Sequence, residues 1–483
     1  MGIYHQLVSK WHDQQRLALC STEQTYTYSQ LQTRVQKCIH WLYSNDISAG
    51  DVVCIQFPKE PIMLEMILAC FAIGAPVLPL NHKYTPHELT YYIKDCQAKL
   101  SCLPESTNHI TLNTKRVSTS KLQAQIEQIS PVELPPPPKP NALAILLYTS
   151  GTTGAPKGAM ISHENVMAVV ASLHQQWQWT PADKLLHALP LFHVHGLFVA
   201  QLVALYANAQ SHWMTRFEPQ QALDIIEQQK ITVFMGVPTF YHRFLQHQPD
   251  KPPNLSSMRL FTSGSAPLPT TVHQQFLQQF GHTILERYGM TEVGIVLSNP
   301  YAGVHRPGTV GFPVSGAQFK IVDPHTTAPV APQAVGELWI KGPSVIKGYL
   351  NKPQQTKETI IDGWLRSGDL AQLDAKGYYH IVGRHKDLII SGGMNIYPRE
   401  IESLFLEHPA ISDVAVVGIP DPDWGEKVVA AVIVNQQTEP QQLQTYIRQY
   451  VSGYKTPKEI RIVNDFPRNA LGKIQKAKIR NNW

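Results

Sequence analysis

Short apolar runs of strand length alternate with helical stretches over much of this chain, and this alternation limits the folds available to it. From Ala142 to about residue 320 the runs include LLHALPL, ITVFMGVP, RLFTSGS and TILERYG. Such alternation is typical of sheets flanked by helices. The chain has 483 residues, too many for one hydrophobic core, so a further domain is expected. The sequence therefore predicts an α/β protein with a large N-terminal body of several subdomains, in which mixed sheets are flanked by helices.

The sequence changes character after Gly383. A charged segment, residues 384–387, is followed by strand-like runs such as DVAVVGIP and KVVAAVIV, with helical stretches between them. We expect an N-terminal body over residues 1–383, a hinge at 384–386 and a small hinged α+β domain over 387–483.

Composition and charge exclude several classes of protein. Apolar residues make up 43% of the chain and charged residues 16%, which excludes a mainly disordered protein. The net charge of +5 is too small an excess to predict nucleic-acid binding, and small-molecule partners fit better. The most apolar run, residues 62–80, is interrupted by glutamate, glycine and proline, so it predicts a buried helix that turns into a strand rather than a membrane span.

The cysteines and the N-terminus indicate a cytoplasmic protein. All six cysteines lie between Cys20 and Cys102, and none forms a CxxC pair, so they are expected to be reduced core residues. The start, MGIYHQ, lacks an apolar signal stretch, and Gln6 stands where an N-myristoylation motif needs Ser or Thr. No export signal or lipid anchor is expected.

A loop rich in glycine and hydroxyl groups follows the strand-like run ALAILLY, residues 142–148. This loop, TSGTTGAPKG, carries backbone N–H groups and the Lys157 ammonium that together can surround phosphate oxygens. It is not a Walker loop, because Lys157 is followed by Gly158 rather than Ser or Thr. A flexible surface turn is the alternative. The predicted phosphate ligands are Thr149, Ser150, Gly151, Thr152, Thr153, Gly154 and Lys157, on a loop expected to lead toward a helix.

Further motifs follow in order: PLFHVHG, GSAPL, YGMTE, GWLRSGDL, GRHKDLIISGG and PRNALGK. Together with the phosphate loop they resemble the adenylate-forming superfamily of acyl-CoA synthetases, peptide-synthetase adenylation domains and luciferases, over nearly all of the chain. The resemblance implies a ligase that activates a carboxylic acid with ATP and Mg²⁺ as an acyl-adenylate, and then passes the acyl group to a thiol such as coenzyme A.

The resemblance gives roles to the residues of YGMTE. Tyr288 would pack on adenine, Thr291 would bond phosphate and Glu292 would hold magnesium. Magnesium prefers a carboxylate together with phosphate oxygens, so a single glutamate suffices. A solvated surface acid is the alternative for Glu292. The resemblance also implies nucleotide contacts by Gly264, Ser265, Ala266, Pro267 and Gly289.

Three charged residues in the last quarter of the chain complete the predicted nucleotide site. Asp369 is suited to accept both ribose hydroxyls, because a carboxylate offers two oxygens. The resemblance makes Arg384 a second ribose contact. Lys473 could be one more charge of a basic tail, but PRNALGK resembles the superfamily's terminal motif, which implies that Lys473 meets the substrate carboxylate and the ATP α-phosphate.

The resemblance also implies a moving part. Lys386 occupies the hinge position, for which an exposed charged linker is the alternative reading. Gly392 and Gly393 belong to a loop that lines the pantetheine tunnel of coenzyme A in relatives.

Two histidines of PLFHVHG could suggest a metal site. His193 and His195 would point the same way on a strand, but no third ligand of fitting spacing accompanies them. The resemblance instead places His193 beside the acyl pocket and the thiol route, while His195 is expected to be packed.

Arg287 bears on the choice of acid. It precedes Tyr288, where fatty-acid-activating relatives usually carry a small or uncharged residue. A buried guanidinium is costly unless an anion pairs with it, and the second carboxylate of a short dicarboxylic acid would supply one. The surrounding segments look most like malonyl-CoA synthetases, so malonate or methylmalonate is favoured over a medium- or long-chain fatty acid. Alternatively, Arg287 faces away from Tyr288 and pairs with a structural acid.

The acceptor of the acyl group and the class of protein both have alternatives. Amino-acid-activating relatives carry an aspartate near PLFHVHG, and this chain has none there. The chain ends at Trp483 without a fused carrier domain, so coenzyme A is the expected acceptor, with loading of a separate carrier protein as an alternative. A luciferase-like oxygenase and a silent nucleotide-binding regulator are remoter; the presence of Lys157, Glu292, Asp369 and Lys473 argues against the silent regulator.

Overall fold

The computed structural model describes residues 1–483 apart from 22–23, 108–109, 111, 150–155, 250, 315 and 469–471. The α-helices, in chain order, are α1 Ile3–Val8, α2 Tyr28–Ser44, α3 Pro61–Ile73, α4 Pro86–Asp95, α5 Thr119–Gln128, α6 His163–Gln176, α7 Val203–Tyr206, α8 Pro219–Gln229, α9 Pro238–Gln246, α10 Thr270–Phe280, α11 Pro353–Thr359, α12 Pro398–Phe405, α13 Pro440–Arg448 and α14 Lys476–Asn481. Short 3-10 helices lie at Glu105–Thr107 and His385–Asp387, and a π-helix lies at His195–Leu202.

The strands, in chain order, are β1 Leu17–Cys20, β2 Thr25–Thr27, β3 Val53–Ile55, β4 Val77–Pro79, β5 Leu100–Leu103, β6 Lys115–Ser118, β7 Leu143–Thr149, β8 Lys157–Ser162, β9 Lys184–His187, β10 Gln210–Trp213, β11 Val233–Gly236, β12 Leu260–Ser263, β13 Ile284–Met290, β14 Gly294–Ser298, β15 Phe312–Pro313, β16 Gln318–Val322, β17 Gly336–Lys341, β18 Ile360–Ile361, β19 Trp364–Leu373, β20 Tyr379–Arg384, β21 Ile389–Ser391, β22 Met394–Ile396, β23 Ile411–Asp421, β24 Gly425–Val434 and β25 Glu459–Ile462.

Two largely parallel sheets form the main body. The first has the order β6-β5-β3-β4-β7-β8 and is parallel except for the β7–β8 pair. The second has the order β15-β14-β13-β12-β11-β9-β10-β1-β2 and is parallel from β13 to β1. One continuous apolar core joins strands of both sheets to α2, α3 and α6. Parallel sheets need cover on both faces, which explains why their strands are short apolar runs.

The apolar run at residues 62–80 behaves as predicted. It forms α3, which starts with Pro61 at its first turn and ends at Gly74, where a φ of 77° makes the left-handed C-cap that glycine favours. Its residues from Ile62 to Ile73 are buried, and β4 follows directly. In the described part of the chain, no helix combines the length and the apolar character that a bilayer crossing requires.

Three local expectations need correction. The phosphate loop does not lead directly to a helix, because β8 intervenes and pairs antiparallel with β7, which places Thr149 opposite Lys157. The proline-rich run at residues 135–138 predicts an extended connection between two packed regions, but it does not separate them, since β7 pairs with the earlier β4 in one sheet. Cys20 is partly exposed, whereas Cys38, Cys54, Cys70, Cys96 and Cys102 are buried as expected.

The remaining strands form two smaller sheets. Strands β16-β17-β19-β18, with β20 beside β19, make an antiparallel sheet. Strands β22-β21-β24-β23, with β25 beside β24, make the last sheet, which packs on α12 and α13 through its own apolar core. The segment predicted as a hinge, 384–386, runs from the end of β20 into the 3-10 helix before β21. The predicted fold class, mixed sheets flanked by helices with a small C-terminal domain, is confirmed.

Candidate active site

The motif residues collect where parallel strands end. GSAPL follows the carboxyl end of β12, and YGMTE includes the carboxyl end of the neighbouring strand β13. PLFHVHG lies a few residues beyond β9 in the same sheet. The carboxyl edge of such a sheet is where ligands of α/β proteins bind, so the topology itself brings the separated motifs together.

One end of the site groups Thr149, Lys157, Glu292 and Tyr349. Tyr349 Oη donates a hydrogen bond of 2.9 Å to Glu292 Oε1, and Thr149 Oγ1 lies 3.4 Å from the same oxygen. The Lys157 ammonium lies 4.5 Å from the centroid of the Tyr349 ring. These contacts hold an ammonium, a hydroxyl and a carboxylate together. The predicted phosphate ligands Ser150, Gly151, Thr152, Thr153 and Gly154 lie outside the described residues.

Glu292 is a buried carboxylate rather than a surface acid. Its exposed fraction is 6%, and burial raises its pKa, while Tyr349, Lys157 and Arg384 act in the opposite direction. Magnesium in nucleotide sites uses one or two carboxylates and completes its shell with phosphate oxygens and water. A single buried glutamate beside a lysine and hydroxyl groups fits such an ion.

The other end groups Tyr288, Asp369 and Arg384. Tyr288 Oη donates to Asp369 Oδ2 at 2.6 Å, and Arg384 Nε lies 3.0 Å from Asp369 Oδ1. Strand pairing of β19 with β20 sets Asp369 directly opposite Arg384. Each carboxylate oxygen has a second lone pair, so Asp369 can still accept the two ribose hydroxyls predicted for it.

Lys473 reaches this same end from the C-terminal domain. Burial and the neighbouring Arg384 lower its pKa to about 8, while the Asp369 carboxylate acts in the opposite direction. The structure therefore brings Lys473 together with Asp369 and Arg384, across more than eighty residues of sequence.

Arg287 is a buried cation. It is 5% exposed, and in the described part of the chain its Nε and Nη2 atoms have no hydrogen-bond partner and no acid pairs with it. Burial lowers its pKa to about 9. The alternative prediction, a structural acid as partner, is therefore wrong for the residues that the structure describes.

The two histidines of PLFHVHG do not lie on a strand. His193 lies in a turn, and His195 is the first residue of the π-helix, so the predicted alternation of a strand does not apply to them. His193 and Thr291 line one cleft together with Tyr148 and Phe192. Burial lowers the pKa of His193 to about 4, so its imidazole is neutral.

A partly buried lysine outside the recognised motifs supports this turn. Lys59 Nζ donates to His187 Nδ1 at 2.8 Å and to the Met214 carbonyl at 3.1 Å, and it also donates to the His187 carbonyl. His187 Nε2 in turn lies 2.8 Å from the Gly196 carbonyl. Lys59 and Tyr349 are site residues that lie outside the recognised motifs; only their tertiary contacts identify them.

The other predicted nucleotide residues line the same edge. Gly289 must lack a side chain, because a β-carbon there would lie 2.0 Å from the Gly294 carbonyl oxygen. Ala266 is partly buried and Pro267 is exposed, both just beyond Gly264 and Ser265.

The predicted hinge and tunnel residues lie elsewhere. Lys386 is exposed in the 3-10 helix His385–Asp387. Gly392 and Gly393 form the turn between β21 and β22, with φ of 57° and 77°, and Gly392 packs against the partly exposed ring of Trp424.

Comparison with known families agrees with this site. Residues 8–350 match the AMP-binding enzyme family, and residues 400–473 match the AMP-binding enzyme C-terminal domain. The chain belongs to the AMP-binding enzyme family. It is an acyl-CoA synthetase that works through an acyl-adenylate, with ATP and coenzyme A as substrates, as the motifs predicted.

Three relatives show how far the similarity extends. The chain is 36% identical over 454 residues to the mitochondrial malonate–CoA ligase ACSF3 of Homo sapiens, covering 84% of this chain and 79% of that protein. It is 33% identical over 464 residues to a feruloyl-CoA synthase of Amycolatopsis sp, covering 95% and 94%. The crystal structure of ATP-bound MatB from Rhodopseudomonas palustris superposes with a TM-score of 0.95 at 36% identity, covering 100% of this chain and 99% of that one.

Proposed function

We propose that this acyl-CoA synthetase activates a short dicarboxylic acid, malonate or methylmalonate. The observation that carries the proposal is the buried Arg287 guanidinium, which has unpartnered N–H groups and no acid beside it among the described residues. Removing a cation from water is costly unless an anion compensates, and a substrate that keeps a second carboxylate provides that anion. The similarity to a malonate–CoA ligase supports the same choice.

The residues divide the first step between them. Arg287 binds the distal carboxylate, so the reacting carboxylate points toward the nucleotide. Asp369 and Arg384 orient the ribose, and Lys157 and Thr149 lie at the phosphate end. The reacting carboxylate attacks the α-phosphorus, pyrophosphate leaves, and the Lys473 ammonium stabilises the negative charge that builds up. Glu292 would hold magnesium, which would neutralise charge on the phosphate oxygens.

The second step transfers the acyl group to coenzyme A. The thiolate attacks the carbonyl carbon of the acyl-adenylate, the bond to the phosphate oxygen breaks, and AMP leaves. His193 borders this route, and its neutral imidazole presents no charge to the approaching thiolate. The proposal includes rotation of residues 387–483 about Lys386, which brings the turn at Gly392 to the site. The expected cytoplasmic location stays a prediction.

An acid panel tests the proposal. Pyrophosphate release is measured with malonate, methylmalonate, butyrate, octanoate and ferulate, with and without coenzyme A. We expect malonate or methylmalonate to give the highest kcat/KM, and thioester to form only with coenzyme A present. A preference for octanoate or ferulate would assign the chain to monocarboxylic acids instead.

Arg287→Ala gives the residue-level test. Truncating one member of a buried charge pair costs about 2–5 kcal/mol, so kcat/KM for malonate should fall roughly thirtyfold to several-thousandfold. Activity with butyrate should be retained or improved, because no charge is left unpaired. Arg461→Ala, which removes an exposed guanidinium from the C-terminal domain, is the matched control. Equal loss with both acids would make Arg287 a structural residue.

A further inference from the structure

Two consecutive residues after β12 each contact a basic side chain. A β-carbon on the buried Gly264 would lie 2.3 Å from Cζ of Arg287, so the guanidinium lies directly on this glycine. Ser265 Oγ lies 3.2 Å from His195 Nδ1. Because the two residues are adjacent in the chain, Arg287 and His195 both pack against one turn. After burial, the charge of Arg287 is the next largest cause that lowers the pKa of His195.

These two side chains carry hydrogen-bond donors that the described protein leaves unused. Nε and Nη2 of Arg287 and Nε2 of His195 are buried without a partner among the described residues. Each side chain belongs to a residue that is 5% exposed. When the Ser265 hydroxyl donates to Nδ1, the neutral imidazole carries its proton on Nε2 and is a donor there. Buried donors without acceptors cost free energy, and a ligand rich in oxygen atoms removes that cost.

We propose that His195 is a specificity-determining residue that, with Arg287, binds the distal carboxylate of the substrate, and that the Gly264–Ser265 turn positions both side chains. This inference rests on the proposed dicarboxylate function and adds residues to it. His195 supplies a third donor nitrogen, Nε2, beside Nε and Nη2 of Arg287. Gly264 supplies the space in which the guanidinium lies, so its role is in acid selectivity and not only in nucleotide binding.

Gly264→Ala tests the positioning role. Gly264 does not have a left-handed φ, and the atoms that a β-carbon would meet belong to the flexible end of Arg287. Alanine is therefore expected to be tolerated by the backbone and to displace the guanidinium. The ratio of kcat/KM for malonate to that for butyrate should fall at least about thirtyfold. Gly453→Ala, at a glycine with no atom within 4 Å of the added carbon, is the matched control.

His195→Leu and His195→Gln test the donor. Loss of a hydrogen bond to a charged group costs about 1.5–3 kcal/mol, so His195→Leu should lower the malonate-to-butyrate ratio roughly 10- to 100-fold. Glutamine keeps an N–H donor and should recover part of this loss. His212→Leu removes another buried imidazole with an unpartnered Nε2, on β10, and should leave the ratio unchanged.

The ratio separates the possible outcomes, because both acids are measured on one preparation and partial loss of folded protein cancels. A wild type that does not prefer malonate overturns the proposed function and this inference with it. A wild-type preference that survives in Gly264→Ala and His195→Leu overturns the inference and leaves the proposed function standing. Equal losses with both acids, together with a raised KM for ATP, would make the turn a nucleotide-binding element only.

Discussion

The surroundings of Lys473 set the pH range in which its side chain is charged. Burial and the Arg384 guanidinium lower the pKa of its ammonium to about 8, although Asp369 opposes the shift. The side chain is therefore charged below pH 8 and loses its charge as the pH rises through this value. A step that depends on that charge should weaken over the same range, whereas a step that does not should be unaffected.

Lys473→Ala should therefore impair adenylation selectively. Losing one preorganised charge contact costs about 2.7–4 kcal/mol, so ATP–pyrophosphate exchange should fall roughly 10²- to 10³-fold. In the wild type, kcat/KM for the exchange should decline as the pH rises through about 8. Thioester formation from supplied acyl-adenylate and coenzyme A should stay near the wild-type rate.

Lys478→Ala is the control for this prediction, because Lys478 is an exposed charge of the same basic tail. It should leave both half-reactions and the pH profile unchanged. Equal loss of both half-reactions in Lys473→Ala would contradict the assignment of Lys473 to the first step.

At the residue scale, the sequence predicts the motif residues but not the residues that hold them in place. Thr149, Lys157, Glu292, Asp369 and Lys473 lie in motifs whose chemistry is readable, and the structure groups them at the strand ends. Tyr349 and Lys59 belong to no motif. Their roles come from contacts between segments far apart in the chain, and no local pattern encodes such contacts.

At the scale of elements, the turn at residues 190–194 and the start of the π-helix are held by hydrogen bonds from a neighbouring sheet. Lys59 lies beyond the carboxyl end of β3, and the acceptors it reaches, on His187 and Met214, lie at the ends of β9 and β10. Burial lowers the pKa of Lys59, but three acceptors match the three N–H groups of a charged ammonium. His187 then carries its proton on Nε2 and donates to the Gly196 carbonyl.

Lys59→Met should destabilise this junction. The substitution keeps the length of the side chain but leaves buried acceptors on His187 and Met214 without their donor, which costs about 1–3 kcal/mol. The free energy of unfolding, measured with urea, should fall by that amount. Thioester formation should also slow, since the turn carries His193.

Lys251→Met, at an exposed lysine, is the control. It should change the free energy of unfolding by less than about 0.5 kcal/mol. A similarly small change in Lys59→Met would show that the hydrogen bonds to His187 and Met214 do not stabilise the turn.

Element types were predictable where periodicity or length decided them, as for α3 and β7. Element types were not predictable where pairing with a distant segment determined them. Residues 157–162 form β8 because β7 offers an antiparallel edge. The residues around His193 form a turn because Gly196 packs closely against Pro190: a β-carbon on Gly196 would lie 2.0 Å from the Pro190 carbonyl oxygen. Neither partner is visible in the local sequence.

At the scale of the whole molecule, contacts from the C-terminal domain hold Lys473 beside Asp369 and Arg384. Arg399, in α12, donates a hydrogen bond to the Ile381 carbonyl on β20. Burial raises the pKa of Glu286 on β13, and the charge of Arg399 partly offsets that rise. The turn at Gly392 instead packs on the partly exposed Trp424. Lys473 and Gly392 both lie beyond Lys386, so one rotation about Lys386 would exchange them at the site.

Lys386→Pro should block that exchange. Proline fixes φ at its own position and disfavours the helical conformation of His385, which lies with Lys386 in the 3-10 helix. ATP–pyrophosphate exchange should persist, because Lys473 already lies beside Asp369 and Arg384. Thioester formation from supplied acyl-adenylate should fall by at least tenfold, on the order of 1.4 kcal/mol.

The control is Lys386→Ala, which removes the same side chain and leaves φ free. It should support both half-reactions, so a defect confined to the proline variant would come from the backbone and not from the lost charge. Persisting pyrophosphate exchange also shows that the proline variant is folded. If Lys386→Pro formed thioester at the wild-type rate, the two steps would share one arrangement of the domains, and Gly392 would have no part in the coenzyme A route.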